Sequence, residues 1–172
     1  MSTSVHKIAR ALLIPLTIDT FLVLVLLLLA LFPGGSALER VVLVIIFIPL
    51  LYILLESISR KVTIRDNGIK IKKLLRKKDL NWEDITSVGA VIAKKKIYLV
   101  LTTTKGFHAL SNSYENFFTL VQKIVDNVGK EKVEEDVLDL IEHPTKKIPN
   151  LISTWVAAIV LLGAVYAKLT HF

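Results

Sequence analysis

Residues 11–32 read ALLIPLTIDTFLVLVLLLLALF, and this stretch decides what kind of protein the chain is. Asp19 is the only charged residue in the run. An α-helix rises about 1.5 Å per residue, so about 20 apolar residues cross the hydrocarbon layer of a bilayer. Because the run offers water no polar face, a core helix of a soluble protein explains it poorly. The sequence therefore predicts a membrane-spanning helix over 11–32.

Two further apolar runs have a similar length. One covers about 38–57 and carries Glu39 and Arg40 at its start, and the other covers 148–168 and is free of charge before Lys168. The whole chain of 172 residues is 53% hydrophobic, with a mean hydropathy of +0.58, yet 22% of it is charged. Three membrane spans thus account for the high apolar content. The charged residues must lie in a part of the chain that faces water.

The basic residues indicate how the chain is oriented. Lys7 and Arg10 precede the first span, and most of the 22 Lys and Arg residues lie between Arg60 and Lys147. Basic segments next to spans stay in the cytoplasm. We therefore expect a multi-pass membrane protein with the N-terminus and the charged segment in the cytoplasm and the C-terminus outside.

The charged segment changes to the alternating pattern of half-buried strands. Asp66-Asn67-Gly68 is typical of a tight hairpin turn, with Asn-Gly supplying positive φ angles. The six expected strands cover about 62–65, 68–73, 77–82, 85–93, 96–104 and 106–110. An amphipathic helix should follow, with Ser111, Asn112 or Ser113 as its N-cap and Gly129 at its end. A second, acidic amphipathic helix should cover 130–142.

This order resembles the bacterial pleckstrin-homology (PH)-like domain. The residues that carry the likeness are VTIRDNGIKIKK (62–73), WEDI (82–85), IYLVLTTTKGFHAL (97–110) and the helix that ends at Val128. The resemblance implies an α+β protein of the bacterial inner membrane, in which three transmembrane helices carry a small cytoplasmic PH-like antiparallel β-barrel or sheet with a C-terminal helix. The predicted parts are a tail and transmembrane hairpin (1–58), the PH-like domain (60–128), an acidic helix and linker (130–147) and the third span (148–168).

The predicted domain is strongly basic, with fourteen Lys and Arg against six Asp and Glu over 60–128. The candidate lipid- or partner-facing patch is Lys70, Lys72, Lys73, Arg76, Lys77, Lys78, Lys94, Lys95 and Lys96. Such a patch suits an anionic leaflet, but the positive-inside rule alone also selects basic cytoplasmic segments. Nucleic acid is not an expected partner, because neither interleaved aromatics nor a known motif accompanies the lysines.

Asp19 is the one acidic residue deep in a span, where an ionisable group is costly without a partner. Tyr52, Thr154 and Trp155 lie at similar depths in the other spans and can donate hydrogen bonds. We expect Asp19 to organise helix packing through these donors. A small transporter that uses Asp19 is the alternative.

No catalytic motif is present. The chain has no cysteine, and its histidines, at positions 6, 108, 143 and 171, follow no metal-binding or catalytic spacing. We therefore expect no enzyme, no cofactor and no metal. PH-like domains offer sheet edges and helix grooves to partners, so the resemblance implies a scaffold or accessory subunit that binds a membrane protein or a second copy. An anionic-lipid sensor at the inner leaflet is the alternative from another class.

Overall fold

The computed structural model describes residues 3–32, 36–93, 96–143 and 151–170. Two compact units divide the chain. One, the soluble unit, comprises Met1–Ala9 and Ser59–Pro149, and the other, the helical unit, comprises Arg10–Ile58 and Asn150–Phe172. Strand-forming residues before Arg10 thus fold with the soluble unit and not with the apolar helix that follows them.

The helical unit contains three long apolar helices, which are α1 (Arg10–Leu29), α2 (Ala37–Ser59) and α5 (Leu151–Thr170). Each is long and apolar enough to cross a membrane, as the sequence predicts. The third begins at Leu151 in the described part of the chain, so the predicted start at 148 lies outside the described residues.

Helix α1 packs along α5. Leu22 and Leu26 of α1 are buried against Val165 of α5, and Leu43 of α2 packs at the margin of the same cluster. At one end of the unit Lys168 forms an ion pair with Glu39, and Arg40 donates a hydrogen bond from Nε to the carbonyl of Ala30, 3.0 Å away. Most of α2 leaves its apolar side chains uncovered, as expected of a helix surrounded by lipid.

The first sheet of the soluble unit has four antiparallel strands in the order β1 (Ser4–Lys7), β2 (Lys61–Arg65), β3 (Gly68–Lys72) and β4 (Lys77–Asn81). Its inward side chains are Val62, Ile64, Ile69, Ile71 and Leu80, all buried. Strands β2 to β4 confirm the prediction. Strand β1 was not predicted, and it joins the sheet although α1 and α2 separate it from β2 along the chain.

The second sheet has three antiparallel strands in the order β5 (Ile85–Ala93), β6 (Lys96–Thr103) and β7 (Gly106–Ser111). Its fully buried side chains include Ile85, Val88, Ile97, Leu99 and Leu101. Helix α3 (Phe117–Val128) adds a stripe of buried residues at helical spacing, namely Leu120, Val121, Ile124 and Val125. Two antiparallel sheets and a helix thus form the interior of this unit, which agrees with the predicted α+β class.

Three local predictions were wrong. The helix expected after an N-cap at Ser111, Asn112 or Ser113 begins only at Phe117, with Asn116 as its N-cap, because Ser111 still belongs to β7 and Tyr114 pairs with Ile8.

The acidic helix expected over 130–142 begins only at Glu135, and α4 covers Glu135–Glu142. Lys130–Lys132 form a short 3-10 helix before it. Between the two, Val133 and Glu134 are extended, because Val133 pairs with Val88 and the amide of Glu134 donates to the carbonyl of Val88 at 2.9 Å.

The hairpin turn also differs from the expected one. Arg65 pairs with Gly68, so the two turn residues are Asp66 and Asn67, and Asn67 has no positive φ angle. Gly68 lies in the strand, where a Cβ atom would come within 2.1 Å of the Leu80 carbonyl oxygen. The glycine is therefore required by the close approach of β4.

Candidate functional site

Four lysines lie side by side across the first sheet. The strand register pairs Lys7 with Lys61, Lys61 with Lys72, and Lys72 with Lys77. Register partners project from the same face, and neighbouring strands are about 4.8 Å apart. We call these four residues the lysine row. Lys7, Lys72 and Lys77 are exposed, and Lys61 is half-buried.

The lysine row concentrates positive charge without compensation from the protein. Like charges directly opposite each other destabilise a sheet. Within the described ranges, none of the four lysines forms an ion pair. By contrast Lys70, two residues before Lys72 on β3, forms an ion pair with Asp79 at 3.4 Å. An anionic surface or ligand that approached the row would therefore relieve repulsion as well as add attraction.

The lysine row lies where the chain passes to the apolar helices. Lys61 starts β2 two residues after α2 ends at Ser59, and Lys7 ends β1 three residues before α1 begins at Arg10. An extended residue spans at most about 3.6 Å. The covalent connections therefore hold Lys7 and Lys61 within about 11 Å of the first or last residue of a candidate span.

The turn between β3 and β4 extends past the lysine row. The amide of Lys73 donates to the carbonyl of Arg76 at 2.8 Å, which closes a turn with Leu74 and Leu75 at its tip. The Leu75 side chain is 84% exposed. A single exposed leucine is common on protein surfaces, so the feature of this turn is the combination of one apolar side chain with the basic residues Lys73, Arg76 and Lys77 around it.

A cleft of about 230 Å³ opens on the other face of the same turn. Its lining residues are Ile71, Lys73, Arg76, Lys78, Phe107, His108 and Ala109. Three cationic side chains thus line one cleft together with the start of β7, where Phe107 is 77% exposed. The alternation of β3 and β4 explains the arrangement, because Lys78 pairs with the inward-facing Ile71.

His108 is the titratable group of this cleft. Partial burial lowers the pKa of its imidazole, and the positive charges of Lys78 and Lys73 lower it further. Both causes disfavour the imidazolium form. A bound anion would act in the opposite direction, so the protonation of His108 and the binding of an anion are coupled.

The structure divides the predicted basic patch into parts with different surroundings. Lys72 and Lys77 belong to the lysine row, and Lys73, Arg76 and Lys78 line the cleft. Lys70 is paired with Asp79. Lys96 is exposed at the start of β6, and Lys94 and Lys95 lie outside the described residues.

Asp19 is buried in α1, with 5% of its surface exposed. Its Oδ1 atom has no hydrogen-bond partner among the residues that the structure describes. The hydroxyl of Thr154 donates to the Leu151 carbonyl of its own helix at 2.9 Å, and Tyr52 and Trp155 are 53% and 43% exposed. The expected contacts of Asp19 with these donors therefore stay a prediction.

Several residues of the site were missed by the sequence reasoning. In the sequence Lys7 and Lys61 indicate only topology, because nothing local shows that β1 pairs with β2. Phe107 lies in a predicted strand and Leu75 between two predicted strands, and nothing local shows that either is exposed. The sequence carries no alternation signal for β1, since apolar Val5 is exposed and polar His6 is buried.

Comparison with family models, with curated proteins and with solved structures found no match to this chain. In the described part of the chain, no three His, Asp or Glu side chains come close enough to hold a metal ion. The site is thus defined by its own geometry, which consists of the lysine row, the leucine-tipped turn and the basic cleft.

Proposed function

We propose that the chain is a membrane-anchored module whose soluble unit, a PH-like domain, binds the anionic phospholipid headgroups of the leaflet to which its three helices tether it. The lysine row carries this proposal. Four lysines in register, without an anionic partner in the described chain and within a few residues of two spans, are arranged for a flat negative surface.

The energetics favour docking at short range. Each basic residue near an anionic leaflet contributes about 1 kcal/mol, and the attraction decays over a Debye length of about 8 Å at physiological ionic strength. The short connections to α1 and α2 keep the row close to that distance. Binding therefore needs little further loss of translational freedom, which the anchor has already removed.

The turn supplies an apolar contact beside the charged one. Leu75 projects between basic side chains that can reach phosphates while the leucine enters the headgroup boundary. The cleft beside it can hold one headgroup phosphate between Lys73, Arg76 and Lys78. In this arrangement the cytoplasmic leaflet is the partner, since the positive-inside rule assigns the basic segment to that side.

A second candidate is the scaffold role, in which the soluble unit binds a membrane-protein partner or another copy. The observation that favours it is β4, which ends the four-stranded sheet as described and has four exposed residues among its five. A partner strand can add to such an edge. A stoichiometric partner that protects β4 from hydrogen exchange in mild detergent would support this role.

The chain itself offers a clean test of lipid binding. It has no cysteine, so Leu75→Cys can be labelled at one site with an environment-sensitive fluorophore in the full-length protein. In nanodiscs of zwitterionic lipid the label should report water, and added anionic lipid should shift its emission to shorter wavelength.

Asn67→Cys is the matched control, because Asn67 occupies the turn at the opposite end of the same sheet. Its label should not respond to lipid charge. A Leu75 label that is unaffected by anionic lipid would contradict the proposal.

A further inference from the structure

The hairpin between β5 and β6 carries uncovered apolar side chains near its tip. Val91 and Ile92 are 53% and 56% exposed, and Ala93 is exposed as well. Register pairs Val91 with the half-buried Tyr98 and Ala93 with the exposed Lys96. Val91, on the face of Tyr98 and Lys96, and Ile92, on the opposite face, therefore leave an uncovered apolar side chain on each face at the same end of the hairpin.

Hydrogen bonds link this end of the hairpin to the start of α1. The amide of Asn112 donates to the carbonyl of Ile97, and the amide of Ala9 donates to the carbonyl of Ser113, both at 2.8 Å. Ile97 is the register partner of Ile92. Two backbone segments, Ile97 and Asn112-Ser113, therefore lie between Ile92 and Ala9. Three steps of about 4.8 Å between segments and one of about 3.8 Å along the chain place the two residues at most about 18 Å apart.

Ala9 is the last residue of the soluble unit before α1 begins at Arg10. The hairpin end is consequently held within about 18 Å of the chain connection to α1, which Lys7 of the lysine row also adjoins. Neither Val91 nor Ile92 belongs to the site described above.

We infer that the exposed end of the β5–β6 hairpin is a second membrane contact, in which Val91 and Ile92 enter the lipid–water interface of the leaflet that holds α1. This inference extends the proposed lipid-binding function. Tyrosine is enriched at membrane interfaces, and lysine places its charge among headgroups while its stem covers apolar surface. The residues around Val91 and Ile92 therefore fit a bilayer surface better than they fit water.

The two membrane contacts differ in what drives them. The lysine row needs anionic lipid and weakens with salt. The hairpin end relies on apolar burial, which depends on neither lipid charge nor salt at moderate concentration. This difference separates the inference from the proposed function in one experiment.

The test uses the full-length chain in nanodiscs with a fluorophore at Val91→Cys, and with lipids brominated near the headgroup as quenchers. We expect quenching in zwitterionic and in anionic nanodiscs alike, persisting at high salt, and no quenching of the control label at Asn67→Cys. An unquenched Val91 label would overturn the hairpin contact even if the Leu75 label responds to lipid charge. Quenching that requires anionic lipid would overturn it too, because the contact would then depend on the lysine row.

A second variant excludes an effect of the label itself. With the fluorophore at Ala93→Cys, the exchange of Val91 and Ile92 for serine should abolish quenching and leave the thermal unfolding temperature unchanged, because both side chains are exposed. Quenching that survives the serine variant would contradict a contact made by these two residues.

Discussion

Replacing Lys7, Lys72 and Lys77 by glutamine removes the three exposed charges of the lysine row and keeps the length of the side chains. At about 1 kcal/mol for each basic residue near an anionic leaflet, the three changes should weaken docking by about 3 kcal/mol. Since about 1.4 kcal/mol corresponds to a factor of ten, the ratio of docked to undocked protein should fall roughly 100-fold.

The same change should not harm the fold. Neighbouring like charges at about 5 Å in water repel each other by less than about 1 kcal/mol. Their removal should therefore leave the thermal stability of the soluble unit unchanged or slightly raised in zwitterionic nanodiscs. A fall in docking together with preserved stability distinguishes a binding surface from a structural one.

The label at Leu75→Cys measures the docked fraction as anionic lipid is increased, at low and at high salt. The matched control changes Lys123, Lys130 and Lys132 to glutamine, which removes the same net charge from α3 and the segment after it. If this control weakened docking as much as the row variant, or if the row variant docked normally, the argument from the register of the lysines would be refuted.

Four further predictions follow from particular residues. Burial and two lysines lower the pKa of His108, and a bound anion favours its protonated form. Docking should therefore strengthen as the pH falls toward that lowered pKa. In the His108→Gln variant, the response of the Leu75 label should lose this pH dependence. Asp19→Asn should change stability in detergent by no more than the roughly 0.6 kcal/mol of an average interhelical hydrogen bond, measured by thermal unfolding, and a large loss would show that the carboxylate itself is required. Glu39→Gln should weaken the pairing with Lys168 and slightly lower the thermal stability of the helical unit. Lys168→Gln should have the same effect, and the double variant should be no less stable than either single variant. Leu120→Ala, in the fully buried stripe of α3, should destabilise the soluble unit by about 2–5 kcal/mol in denaturant unfolding, and a smaller effect would contradict its place in the interior.

The sequence predicted the elements better than their pairing. Long apolar runs can be recognised one residue after another, and so can the alternation of Val62, Ile64, Ile69 and Ile71. These signals are local, so the three helices and six strands could be located from the residues alone.

The lysine row could not be predicted, because it depends on register. It requires β1, a strand of four residues before the first span, to pair with a strand that follows the second span. The cleft likewise depends on how a turn of the first sheet meets the start of β7. The sequence therefore identified most of the basic residues but not their division between a flat row and a cleft.

Hydrogen exchange of the unlabelled full-length chain in nanodiscs, compared between zwitterionic and anionic lipid, tests the central claim most directly. Anionic lipid should slow exchange in the β3–β4 turn, 73–76, and at the start of β7, 106–109, while the turn at Asp66 and Asn67 should exchange equally in both membranes. Equal exchange of the β3–β4 turn in the two membranes, or protection confined to α4, would contradict a soluble unit that binds the leaflet through its basic end.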